Sequence, residues 1–180
     1  MTSTRERILD AAVDLLATGG LRALTHARVD ERALVPKGSA SNYFRTRAAL
    51  LTGVTDWIVE REVPAVSVAF TPRSPAEFVD AMCTLLEVTS VDNRDLTTAR
   101  LVLFMEASHN PELREALSRG RATLGAAVVS SLAEMGASDP EAAAEAMASC
   151  FEGLLLHRIA RQVFTDPRPV FEAVVHGALA

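Results

Sequence analysis

Cysteine is scarce in this chain of 180 residues: there are two, Cys83 and Cys150. Their separation excludes a disulfide framework and any CxxC-type metal site, and makes a reduced, cytoplasmic protein the expectation. No stretch of about 18 uncharged apolar residues occurs, which rules out a transmembrane helix. The segment 1–10 is polar and carries Arg5, Glu6 and Arg7, so a signal peptide is not expected. Strand signals are nearly missing, with no Asn-Gly hairpin and no sustained period-2 run. Catalytic motifs are missing too: there is no GxSxG, P-loop, GxGxxG or HExxH. His26, His109, His157 and His176 have no metal-ligand spacing to one another. No catalytic site, metal or cofactor is therefore expected, and the chain does not read as an enzyme.

What is present is the material of a folded helical protein. Hydrophobic residues make up 49% and charged residues 23%, which excludes wholesale disorder. The net charge of −5 is unevenly spread: residues 1–50 carry +3 and residues 51–180 carry −8. A basic head on an acidic body points weakly to an anionic partner at the head. Ile8, Ala12, Leu15 and Leu16 form a helical stripe, with Ser3 and Glu6 at capping-box spacing before it and Gly19-Gly20 after it. Caps followed by proline mark later helix starts: Ser74-Pro75, Asn110-Pro111, Asp139-Pro140 and Asp166-Pro167. Apolar-periodic stretches at 76–90, 95–108, 111–135, 140–163 and 168–179 fill the rest, with Gly136 as a stop. One more helix is predicted from Thr46 to about Val63, ending before Pro64, and 63–70 is taken as a helix end and loop. The expectation is an all-α protein of about nine helices, a short-helix domain at 1–47 and a larger helical domain at 48–180.

Residues 25–44 carry the functional signal. Thr25 caps a short helix through about Arg32, Leu34-Val35-Pro36 makes a turn, and a second short helix runs from about Lys37 to Phe44. Two short helices joined by a tight turn are a helix-turn-helix, whose second helix enters a DNA major groove about 12 Å wide. That second helix is small and polar, so it can approach base edges; a solvated polar turn between core helices is the plainer alternative.

Residues 5–50 resemble the DNA-binding domain of the TetR family of bacterial repressors. The resemblance is carried by Arg7-Ile8-Leu9-Asp10-Ala11-Ala12, Gly19-Gly20-Leu21, Thr25, Val35-Pro36-Lys37-Gly38-Ser39, Asn42-Tyr43-Phe44 and Arg47-Ala48-Ala49-Leu50. Beyond residue 50 only the number, length and order of helices match. The turn departs from the pattern: Leu34 stands where the family usually has glycine, and a left-handed leucine costs on the order of 1 kcal/mol.

The resemblance implies a set of DNA contacts. Thr25 and His26 match phosphate-contacting positions, with a plain helix cap and a solvent-exposed surface histidine as the alternatives. Lys37, Gly38, Ser39, Ser41 and Asn42 match groove-facing positions, and Asn42 is suited to a bidentate pair with adenine. Tyr43 either binds phosphate or packs beside Phe44. Arg47 matches a basic phosphate-contacting position, and no acid at 50 or 51 is available to pair with it.

The resemblance further implies a ligand-responsive regulator, in the first instance a repressor, that binds a palindromic operator in double-stranded DNA as a homodimer and is released by a small molecule. Ala142, Ala146, Ser149 and Gly153 form a small-residue stripe, and 168–179 is rich in apolar groups, so helices 140–163 and 168–179 are the expected dimer interface. Trp57, Phe78, Met82, Phe104, Met105, Phe151 and His157 are the candidate walls of an effector pocket, each with plain core packing as its alternative. The competing function is a small α-helical binding or scaffolding protein without DNA.

Overall fold

The computed structural model describes residues 2–67 and 72–180. Among them are nine α-helices and no strand: α1 Thr4–Ala23, α2 His26–Arg32, α3 Ser39–Tyr43, α4 Arg47–Ser67, α5 Pro75–Glu87, α6 Arg94–Glu106, α7 Pro111–Glu134, α8 Pro140–Ala160 and α9 Arg168–Leu179. A π-helical turn, Val88–Asp92, follows α5.

Local chemistry explains most boundaries. Ser3 accepts the Glu6 amide at 3.2 Å while Glu6 accepts the Ser3 amide at 2.6 Å, a reciprocal cap. Glycine at φ 64° breaks α1 at Gly20, a backbone conformation that costs glycine little. Ser74 caps α5, Asn110 caps α7 and Asp139 caps α8, each by accepting an amide two or three residues on, with proline entering the helix where no N–H is needed. Gly136, at φ 91°, follows the end of α7.

Four boundaries differ from the periodicity. The helix expected to stop before Pro64 runs on to Ser67. Proline removes one helical hydrogen bond but does not forbid the helix beyond it; the remaining tract, 68–70, lies outside the described residues. The 76–90 stretch divides into α5 and the π turn, where the Asn93 amide bonds the Val88 carbonyl at 2.8 Å. Because the π turn sits at the end of α5, too few residues follow it to reveal the shift it makes in the apolar period. The 140–163 helix stops at Ala160, and Gln162 takes φ 54°. The last helix starts at Arg168, with Pro167 rather than Asp166 at the cap position.

The chain packs as two compact units: Met1–Glu62 with Asp95–Gly120, and Val63–Arg94 with Arg121–Ala180. The first thus adds most of α4, α6 and the start of α7 to the short N-terminal helices. Its core joins Ile8, Leu9 and Leu16 of α1 with Val29, Leu50, Val54, Ile58 and Leu103. Trp57 lies at its edge: the indole N–H donates to Asp10 Oδ1 at 3.0 Å, and the Arg61 guanidinium sits 4.2 Å from the ring centroid.

The second unit gathers Phe78, Met82, Leu86, Leu132, Met147, Leu155 and Phe171. Buried Arg158 of α8 reaches the π turn, donating to Glu87 Oε2 at 2.8 Å and Ser90 Oγ at 3.0 Å. On α9, Phe171 and Val175 are buried in this unit's own core, so part of the helix's apolar content is spent within the chain. Val170 stays exposed, as do Ala142, Ala146 and Ser149 of α8.

Candidate nucleic-acid interface

The helix-turn-helix is built on α1. Thr25 caps α2, its hydroxyl accepting the Arg28 amide at 3.3 Å, and Val29 is buried against the core. Arg32 is paired with Asp14 of α1. The turn follows at once: Leu34 adopts φ 53° with 84% of its surface exposed. The left-handed geometry is thus kept although glycine is not. What surrounds Leu34 shows how: Arg7 Nη2 donates to the Ala33 carbonyl at 2.6 Å and to the Leu34 carbonyl at 2.8 Å. The Val35 amide closes on the Asp30 carbonyl at 3.1 Å.

Gly38, at φ 91°, starts α3 and offers no side chain to cap it. Its place is taken by Asp30 of α2, whose Oδ2 accepts the Gly38 amide and whose Oδ1 accepts the Ala40 amide, both at 2.7 Å. At the other end Phe44 is buried, and its ring lies on the backbone of α4 where Gly53 leaves room; a Cβ there would collide with ring atom Cε1. The Phe44 carbonyl accepts from His26 Nε2 at 2.6 Å, which requires the proton on that nitrogen. Both ends of α3 are therefore tied to other elements of the motif.

The expected contact residues fall into two groups. Lys37, Ser41, Asn42 and Tyr43 are exposed, and among the described residues the side chains of Lys37, Asn42 and Tyr43 form no hydrogen bond. Ser41 and Ser39 turn their hydroxyls back to the carbonyls of Gly38, at 2.9 Å, and Pro36, at 2.5 Å. Gly38 and Ser39 are half-buried, and Thr25 is exposed. Two residues carry structural bonds that the sequence did not show. His26 is half-buried on the Phe44 carbonyl, not simply a surface histidine. Arg47 is exposed but donates to the carbonyls of Leu21, at 2.8 Å, and Leu24, pinning the start of α4 to the end of α1. Arg22, Arg28 and Arg45 are exposed as well and add positive charge to the unit. Arg7 and Asp30 escaped sequence reading, because an arginine or aspartate aimed at backbone carries no motif of its own.

The candidate effector residues divide between the two units. Trp57, Phe104 and Met105 belong to the first, and Phe104 and Met105 are exposed. Phe78, Met82, Phe151 and His157 belong to the second. Phe78 and Met82 are buried core, Phe151 stacks on Phe171 with centroids 6.3 Å apart, and His157 is exposed instead of buried. A groove of about 340 Å³ between α5 and α9 is lined by other residues, among them Val79, Glu172, Val175 and His176. No group of His, Cys, Asp and Glu suited to a metal ion occurs among the described residues, and no described helix is long and apolar enough to cross a membrane.

A basic three-helix head whose turn presents a short polar helix defines a helix-turn-helix DNA-binding protein. The chain belongs to the TetR family of transcriptional regulators: residues 8–54 match the model "Bacterial regulatory proteins, tetR family", and residues 73–180 match "Tetracyclin repressor-like, C-terminal domain". Solved structures agree in fold. A transcriptional regulator from Rhodococcus sp. Rha1 superposes with a TM-score of 0.87 at 19% identity, covering 98% of this chain and 96% of that one. A TetR-family member from Streptomyces coelicolor A3 gives 0.76 at 22%, covering 99% of both chains. The multidrug binding protein EbrR complexed with ethidium gives 0.77 at 23%, again covering 99% of both. No curated protein matches.

Proposed function

We propose that this protein is a ligand-responsive repressor that binds a palindromic operator as a homodimer in the cytoplasm and is released by a small molecule. The observation that carries the reading is the free polar surface at α3: Asn42 and Tyr43 on the helix and Lys37 in the turn just before it project to solvent without intramolecular hydrogen bonds, and the helix is held at both ends. In a major groove Asn42 offers a bidentate donor–acceptor pair to adenine, worth about 1–3 kcal/mol of discrimination. Thr25, Tyr43 and Arg47 supply phosphate contacts, Lys37 faces the groove, and the two motif helices of a dimer read half-sites one DNA turn apart.

The exposed stripe Ala142, Ala146 and Ser149, continued by Gly153, supports the dimer: small side chains let two helices approach closely, and a Cβ at Gly153 meets nothing within 4 Å. Ligand responsiveness is supported by the helical C-terminal domain and by the ethidium-bound state of EbrR. The effector acts by binding one dimer state more tightly than the other.

Selection of duplexes on the wild-type protein tests the function. An imperfect palindrome is expected, with Asn42→Ala relaxing preference at one position of each half-site. A scaffolding protein would enrich no sequence, and its retention on heparin would lack the steep salt dependence of phosphate binding.

A further inference from the structure

We infer that Asp30 is a positioning residue for operator reading: its carboxylate, forked onto two amides at the start of α3, sets the angle at which that helix meets the bases. The inference rests on the DNA-binding function proposed above and adds a residue that is buried and turned to backbone amides of the motif.

The argument begins with the length of α3. Five residues make little more than one turn, and a helix that short does not hold itself in water. It lacks the usual device at its start, since Gly38 has no side chain with which to cap the free amides. Asp30 supplies that cap from outside. Of the acids in residues 2–50 it is the buried one, with 5% of its surface exposed. Both oxygens are used, Oδ2 on Gly38 and Oδ1 on Ala40, each at 2.7 Å. Amide bonds donated to a carboxylate are the strong kind, and two of them on one rigid carboxylate fix a direction, where a single bond leaves a pivot.

The fork's own position is fixed. Asp30 follows Val29, which is fully buried, and its carbonyl takes the Val35 amide across the turn. The side chain thereby ties the frame of α2 to α3 at one end, as Phe44 ties α3 to α4 at the other. Ser41 and Asn42 lie between these two anchors. A change in the α3 angle moves them against the bases while leaving the basic side chains of the unit in place.

This arrangement separates a positioning role from two others by sign. If Asp30 acted only through charge, neutralising it would remove a negative group near the phosphates and tighten binding to every duplex. If it served only fold stability, operator and unrelated DNA would lose affinity together. A positioning role weakens the operator alone.

The experiment uses the full chain, an operator selected on the wild type, and an unrelated duplex of equal length. Affinities for both are measured across a salt series for wild type, Asp30→Asn and Asp30→Ala, with circular dichroism reporting the folded fraction. Asp30→Asn keeps the shape and one acceptor oxygen, so it serves where Asp30→Ala fails to fold. The expected result is a loss of about tenfold or more on the operator for Asp30→Asn, with unrelated DNA unchanged or tighter and the salt slope unaltered. A wild-type ratio of operator to unrelated affinity in Asp30→Asn, or an equal loss on both duplexes, would overturn the inference. A wild type that selects no sequence at all would instead overturn the regulator reading, and this inference with it.

Discussion

Replacing Leu34 by glycine should stabilise the protein, against the usual cost of deleting a large apolar side chain. Leu34 holds φ 53°, where its Cβ crowds the backbone at about 1–2 kcal/mol. Little burial offsets that strain, since 84% of the residue is exposed. Glycine removes the strain but frees the unfolded chain, which costs about 0.5–1 kcal/mol. The net gain is about 0.5–1 kcal/mol, or a rise in Tm of about 1–4 °C for a chain of this size. The carbonyls of Ala33 and Leu34 still accept from Arg7, so the turn keeps its path and DNA binding should be unchanged. Leu34→Asn should fall between wild type and glycine, because asparagine tolerates the left-handed region better than leucine but still carries a Cβ there. Leu34→Ile should destabilise by about 1 kcal/mol or more, since branching at Cβ worsens the clash. Urea denaturation of the four proteins gives the ranking. A glycine variant less stable than wild type, or an isoleucine variant equal to it, would refute the reasoning from backbone strain.

Three further outcomes are expected. Arg47→Ala should weaken binding to all DNA and lower fold stability by about 1–3 kcal/mol, because its guanidinium carries the Leu21 and Leu24 carbonyls; unchanged thermal unfolding would show that the pin has no weight. Burial pushes the Glu62 carboxyl up, and the Arg100 guanidinium, 3.1 Å away, offsets only part of this. Its folded form therefore holds a proton more tightly than the unfolded chain, so the stability it contributes is full in acid, below the unfolded pKa, and is lost as pH rises through the raised folded value. Glu62→Gln removes that dependence, so its stability relative to wild type should improve from acid toward neutral pH; denaturation at both ends of the range showing no such trend would contradict it. Gly153→Leu should convert a dimer to a monomer by light scattering while favouring the isolated helix by up to about 1 kcal/mol, because the side chain has open space within the chain and none at a close helix contact; a variant that remains dimeric would move the interface elsewhere.

Much of this protein was legible in its residues because the signals are local. Ser3 with Glu6, and the proline-led starts of α5, α7 and α8, set helix boundaries through bonds that span two or three residues. The stripe Ile8, Ala12, Leu15, Leu16 named the buried face of α1, and the family resemblance carried by residues from Arg7 to Leu50 named the motif and its polar helix. Other features depend on partners distant in sequence. Arg7 meets carbonyls at 33 and 34, Asp30 meets amides at 38 and 40, and Arg47 meets carbonyls at 21 and 24. Backbone groups are alike in every residue, so a side chain destined for one of them shows no complementary letter in the sequence. The same holds for the aromatic and histidine residues of the body. Composition placed Trp57, Phe78 and Phe151 in apolar surroundings, but only the folded chain assigned Trp57 to Asp10 and Arg61 in one core, set Phe78 and Phe151 in another, and left His157 in water. Periodicity records which face of a helix is dry; which other helix dries it is decided by packing.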